Sequence, residues 1–140
     1  MKVFLSGSKT AVTLPPELTT LLDSYCEQGA SFLIGDCFGA DRLILQYLSE
    51  RQYPNVTVYA SGEVCRCDTA YPVKQIAACG LTGFAFYRQK DIAMIEDCDC
   101  AVMLWDGKTR GTRCNMEDMQ RIGKPFSLIR SDYASHSNNS

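Results

Sequence analysis

Four short apolar runs in this chain each stop at a glycine-containing turn, and three of the four lead into a segment with helical period. The runs are Val3-Phe4-Leu5, which ends at Ser6-Gly7-Ser8, and Phe32-Leu33-Ile34, which ends at Gly35-Asp36. The third covers residues 56–60 and ends at Ser61-Gly62. The fourth covers residues 101–105 and ends at Asp106-Gly107. Short apolar runs that alternate with amphipathic segments build a parallel sheet covered by helices. A fifth run, residues 126–129, follows Gly123-Lys124-Pro125. The predicted fold class is therefore α/β: an open, doubly wound, mostly parallel sheet of about five strands, with helices on both faces.

The helical segments are legible from their apolar stripes and end signals. Pro15 and Pro16 open a helix carrying Leu18, Leu21, Leu22 and Tyr25 on one face, and Gln28-Gly29 closes it. Residues 39–51 form a second helix, with Leu43, Ile44, Tyr47 and Leu48 as its stripe. Residues 91–96 and 111–122 are helical in pattern. Residues 71–78 fit a short helix, inside the least regular stretch of the chain, 61–82. No internal repeat or linker divides the sequence. A single domain is expected over 1–130, followed by a polar, mobile tail over 131–140.

Composition excludes several classes. Hydrophobic residues are 46% of the 140 and charged residues 21%, which rules out disordered, collagenous and low-complexity chains. The net charge of -2 disfavours a general coat for nucleic acid, so a nucleic-acid partner is expected to be unlikely. The apolar run after Lys2 is too short for a signal peptide, and no segment is long enough to span a bilayer. A cytoplasmic protein with no membrane partner is expected. The eight cysteines then read as reduced, partly buried apolar residues rather than a disulfide framework. Cys65 and Cys67, a Cys-x-Cys pair in a predicted loop, are the more reactive pair. The one histidine, His136, lies in the tail, Cys-x2-Cys spacing is absent, and no metal site is expected.

In open parallel sheets, ligands bind beyond the carboxyl ends of the strands. That rule selects four loops: 7–10, 35–41, 60–67 and 106–112. Gly7 and Ser8 let the backbone approach a phosphate, and Lys9 supplies charge. Gly35, Asp36, Gly39 and Asp41 surround the start of a helix, where a carboxylate can cap the helix or hold a ribose diol. Trp105-Asp106-Gly107-Lys108-Thr109-Arg110-Gly111-Thr112 combines glycines, hydroxyls and cations at a helix N-terminus, the ingredients of a phosphate cradle. Residues 108–130 hold six cations and two anions, a net +4 in an otherwise acidic chain. A local patch of this kind suits a small phosphorylated ligand better than a long polyanion. Tyr59, Phe84, Phe86, Tyr87 and Trp105 are candidates to stack on a base. Neither the G-x4-G-K-[ST] loop nor the G-x-G-x-x-G fingerprint occurs, and a lone histidine in the tail allows no Ser-His-Asp triad.

Five blocks in order, Ser6-Gly7-Ser8-Lys9, Gly35-Asp36-x-x-Gly39-x-Asp41, Lys90-Asp91-x-x-Met94, Trp105-Asp106-Gly107-x-Thr109-x-Gly111-Thr112 and Gly123-Lys124-Pro125, resemble the SLOG superfamily, in its small single-domain bacterial and phage branch. The resemblance spans roughly residues 2–130. It implies a Rossmann-like fold that binds nucleotides or nucleotide-derived ligands, in a superfamily that includes DNA-processing proteins, sensors of nucleotide signals and the lonely-guy phosphoribohydrolases. It implies ligand contacts at Gly7, Ser8, Lys9, Gly35, Asp36, Gly39, Asp41, Asp106, Thr109, Gly111 and Thr112, and Asp91, Trp105 and Gly107, in or beside the same blocks, are expected to join them. It also implies a homodimer, no required cofactor, and a ligand of the nucleotide or ADP-ribose type.

Lys9 and Lys90 stand where arginine is common in this branch, which keeps the charge but loses the bidentate fork. The phosphoribohydrolases carry a glutamate two or three residues after the threonine of their Pro-Gly-Gly-x-Gly-Thr motif; here those positions are Cys114 and Asn115. Glu117 comes more than a helical turn beyond Thr112. If the protein is an enzyme on an N-glycosidic bond, Asp36, Asp106 or Glu117 is expected to be catalytic. Alternatives to plain nucleotide binding are thus a phosphoribohydrolase or deoxyribosyltransferase-like enzyme, and a nucleic-acid or protein partner module.

Overall fold

The computed structural model describes residues 1–131. Residues 132–140, which hold most of the expected tail and His136, lie outside the described residues. The chain alternates strand and helix: β1 (Lys2–Gly7), α1 (Pro16–Glu27), β2 (Ser31–Gly35), α2 (Ala40–Glu50), β3 (Val56–Ser61), β4 (Val73–Ile76), α3 (Gly83–Asp97), β5 (Cys100–Trp105), α4 (Arg110–Ile122) and β6 (Phe126–Arg130). The strands form one six-stranded sheet in the order β4-β3-β2-β1-β5-β6, with every pairing parallel.

Alternation along each strand sorts the core onto two faces. Val3 and Leu5 of β1, Phe32 and Ile34 of β2, and Val56 and Val58 of β3 pack with Leu18 and Leu22 of α1 and Ile44 and Leu48 of α2. Phe4, Leu33, Tyr59, Ala101 and Met103 point the other way, onto Met94 and Ile95 of α3 and Met119 of α4. The predicted open α/β sheet with helices on both faces is what the chain forms.

Two local expectations are corrected. The sheet has six strands rather than about five, because part of the segment 71–78, read as a short helix, is the edge strand β4. Three of its four residues are exposed, so it shows no apolar alternation; β3 is its strand partner, and Lys74 adds an ion pair to Asp97 of α3. The helix expected over 91–96 begins eight residues earlier, at Gly83. Its first turns carry Phe84 and Tyr87 toward a cavity instead of the core, which hides the helical stripe.

The topology positions the functional end. From β1 the chain steps outward through β2 and β3 to β4, and α3 then returns it to β5, on the other side of β1. The direction of winding reverses between β1 and β5, and a crevice opens at the carboxyl ends of the strands there.

Candidate functional site

Three loops meet at this crevice, and Ser8 joins them. The Ser8 N–H donates to the Leu104 carbonyl, and its own carbonyl accepts from Ala40 N at the start of α2. Its hydroxyl closes a ring with the loop after β5. Asp106 N donates to Ser8 Oγ (3.0 Å), Ser8 Oγ lies 2.5 Å from Thr109 Oγ1, and Thr109 Oγ1 donates to Asp106 Oδ1 (3.0 Å). Close backbone approach explains two of the glycines. A Cβ on Gly7 would lie 2.2 Å from Ala40 Cβ. Gly39, at φ +75°, would bring one within 2.4 Å of the Lys9 carbonyl oxygen.

A cavity of about 500 Å³ lies over this junction, within the range of small-molecule sites. Of the residues expected to touch a ligand, Gly7, Ser8, Lys9, Gly35, Asp41, Asp91, Thr109, Gly111 and Thr112 line it. The first turn of α4 opens onto it, and no side chain caps that helix start. The amides of Arg110, Gly111 and Thr112 thus present an uncapped helix N-terminus to the cavity. Among the described residues, Lys9 and Arg110, also on its wall, make no ion pair.

The inner wall is charged but internally paired. Lys90 Nζ donates to Asp91 Oδ1 (2.9 Å). Arg88 donates to Asn115 Oδ1, to Asp118 and, at 3.4 Å, to Asp91 Oδ2. Asn115 Nδ2 donates to Ser6 Oγ (2.9 Å). Asp41 is buried beside Gly35 and accepts from Cys37 N (3.2 Å). Burial pushes its carboxyl up to about 7, against the opposing pull of Lys90. For Lys90 burial works against the charge, but the carboxylates of Asp91 and Asp41 outweigh it and hold the ammonium form.

Three aromatic rings stand at the mouth, each 38–54% exposed: Phe38, Phe84 and Tyr87. Each has a guanidinium over its face, Arg42 on Phe38 (5.8 Å), Arg110 on Phe84 (3.9 Å) and Arg66 on Tyr87 (4.1 Å). Of the other aromatic candidates, Tyr59 is core and its hydroxyl donates to Asp97, while Phe86 packs edge-on against Tyr87. Trp105 Nε1 donates to the Thr109 carbonyl.

The remaining expected contacts build the site without lining it. Asp36, 1% exposed, accepts from Arg66 N (2.8 Å), Nε (3.2 Å) and Nη2 (2.9 Å), so its carboxylate is occupied. Gly39 starts α2, and Trp105 and Gly107 flank the turn before α4. Asp106 holds that turn by accepting from Lys108 N, Thr109 N and Thr10 Oγ1. Burial opposes its charge, yet these bonds keep its carboxyl well below the usual carboxylate range. Glu117 is exposed on the outer face of α4, because that helix starts at Arg110. None of the three expected catalytic carboxylates, Asp36, Asp106 and Glu117, reaches the cavity. Its carboxylates are Asp41 and Asp91.

Sequence reasoning missed Arg66, Arg88 and Asn115. Thr112, Asn115 and Met119 share the buried stripe of α4, and the polar residues at helical spacing on that stripe were the available signal. No helix among the described residues is long and apolar enough to cross a membrane. No group of three or more His, Cys, Asp and Glu side chains among them is arranged to hold a metal.

No family model matches the chain, and no curated protein matches it. A solved structure of DNA processing protein A from Helicobacter pylori, studied for its single-stranded DNA binding mode, is similar, with a TM-score of 0.64 over 91% of this chain at 16% identity. The match covers 64% of that protein, so this chain spans less than two thirds of it. At that identity the likeness establishes a shared fold.

Proposed function

We propose that the cavity binds a nucleotide or a nucleotide-derived ligand of the SLOG type, in the manner of a sensor rather than a catalyst. The observation that carries this reading is the division of charge around the cavity. Cations without an ion pair, Lys9 and Arg110, stand beside the uncapped amides of α4, whereas the inner cations Arg88 and Lys90 are neutralised by Asp91 and Asp118. An anionic group gains most at the first place, from helix N–H groups and free positive charge. A neutral, hydrogen-bonding sugar or base suits the second, where Asn115, Asp41 and Asp91 offer donors and acceptors. Phe84 and Tyr87 supply flat apolar faces at the mouth.

A thermal-shift panel of AMP, ADP, ADP-ribose, NAD, cyclic ADP-ribose and deoxynucleoside monophosphates tests the reading. Saturable stabilisation by at least one of them is expected through mass action. No shift at millimolar concentration overturns it. The enzymatic alternative rests on Asp41 and Asp91 as the cavity's carboxylates, and its signature is free base released from the stabilising nucleotide and abolished by Asp91→Asn.

A second reading is favoured by the three arginine-covered rings at the mouth. Exposed aromatics with arginines on their faces suit the stacked bases of a single strand. The similar fold of DNA processing protein A, studied for binding single-stranded DNA, weighs in the same direction and against treating nucleic acid as an unlikely partner. An oligonucleotide affinity that falls steeply with salt is its test. In either case a homodimer is part of the proposal, since β4 and β6 are the edge strands of the sheet that the described residues form.

A further inference from the structure

The segment between β3 and β4 carries Cys65-Arg66-Cys67 around a bend. The bend turns both thiols to the same side, with Cys65 Sγ 3.6 Å from Cys67 Sγ and 3.4 Å from the Cys67 carbonyl oxygen. Neither thiol is fully buried. Arg66, between them, lines the cavity, where Asp36 holds its backbone N–H and its guanidinium, and Tyr87 lies under that guanidinium.

We propose that Cys65 and Cys67 are a reversible dithiol–disulfide modification site whose closure repositions Arg66 in the wall of the cavity. The sulfurs need to approach by only about 1.5 Å to reach bonding distance. A disulfide across one intervening residue forms a small ring, and small or strained disulfides are the readily reduced, regulatory kind. The oxidant is a low-molecular-weight disulfide. The Cys65 thiolate attacks one of its sulfurs, forming a mixed disulfide and releasing one thiol. Cys67 then loses its proton and attacks the Cys65 sulfur, releasing the second thiol. Two protein thiols are oxidised and one disulfide is reduced to two thiols. Burial and the contact with Cys65 push the Cys67 thiol up, and the exchange balances the same way whichever of the two sulfurs attacks first. This proposal goes beyond nucleotide binding and does not depend on it.

Trypsin cleaves after Arg66, so the two cysteines fall on different peptides, 52–66 and 67–74. The test equilibrates the protein with glutathione disulfide, blocks remaining thiols by alkylation, and digests it without reductant. The expected product is the two peptides linked to each other, separating on reduction, and absent from the Cys67→Ser variant. Recovery of both peptides singly alkylated, as lasting glutathione adducts, or linked to other cysteines overturns the proposal. Hydrogen exchange reads the coupling to the cavity. Closure is expected to speed exchange of the Arg66 amide, now bonded to Asp36, severalfold in the wild type only. Unchanged exchange in the oxidised protein overturns the coupling to Arg66.

Discussion

Ser8 Oγ and Thr109 Oγ1 lie 2.5 Å apart, so one hydrogen bond joins the loop after β1 to the turn before α4 across 101 residues of sequence. The contact is one side of the ring that Asp106 completes, and it fixes where the first turn of α4 faces. Ser8→Ala removes the acceptor for the Asp106 N–H and the partner of Thr109. The expected loss of stability is about 1–2 kcal/mol, read from denaturant midpoints at an unchanged m-value.

Asp106→Ala removes the acceptor for two backbone amides and two threonine hydroxyls at once. An effect of about 1–2 kcal/mol is expected, the size of a lost helix cap. Its folded-state carboxyl is held below the ordinary value, so the native state binds its proton less readily than the unfolded chain does. The stabilisation is therefore present above about pH 4 and lost as pH falls. Chemical denaturation of wild type and variant at pH 7 and pH 3 is expected to show their difference shrinking in acid.

Asp41 has the opposite sign. Its carboxyl rises from the ordinary 3.8 to about 7 when the chain folds. Between these values the native state retains a proton that the unfolded chain releases, so stability falls as pH rises through the window. The slope from this one group is at most about 1.4 kcal/mol per pH unit, and it vanishes above pH 7. Asp41→Asn keeps the acceptor for Cys37 N and removes the titration. Stability of the variant is expected to change less between pH 5 and pH 7 than that of the wild type. Parallel curves would contradict the assignment.

Two glycine substitutions separate fold from site. Gly7→Ala forces a Cβ against Ala40 Cβ and is expected to destabilise by roughly 1–3 kcal/mol or more. Gly111 has nothing within 4 Å of the place its Cβ would take, and it sits in the first turn of α4 on the cavity wall. Gly111→Ala is expected to leave stability unchanged or raise it by up to about 1 kcal/mol. Thermal melts of the two variants read the contrast directly.

The parallel sheet was legible because its central strands are buried on both faces and read as unbroken apolar runs, as in Val3-Phe4-Leu5 and Phe32-Leu33-Ile34. β4 was not, because an exposed edge strand needs no apolar alternation and Val73, Lys74 and Gln75 show none. The glycine loops were legible as turns at strand ends, and the strand-end rule placed them at the crevice. What the sequence left ambiguous was the direction of each carboxylate. Asp36 read as a helix cap or a ligand contact and Asp106 as a ligand contact, whereas their partners, Arg66 and Thr10, lie 30 and 96 residues away. Arg88 was illegible for the same reason, and the helical spacing that marks Asn115 as buried names no partner for it: 27 residues separate two polar groups that only the packing of α3 on α4 brings together.

The central claim is that Lys9 and Arg110, which make no ion pair among the described residues, and the helix amides beside them hold the anionic group of a nucleotide. Calorimetric titration of the nucleotide panel into the wild type and into a Lys9→Ala/Arg110→Ala double variant tests it most directly. The account predicts saturable one-site binding to the wild type for at least one nucleotide, weakened about tenfold or more in the variant, equivalent to about 1.4 kcal/mol or more. Equal affinity in the two proteins, or no binding of any nucleotide while a single-stranded oligonucleotide binds with a steep salt dependence, would contradict it.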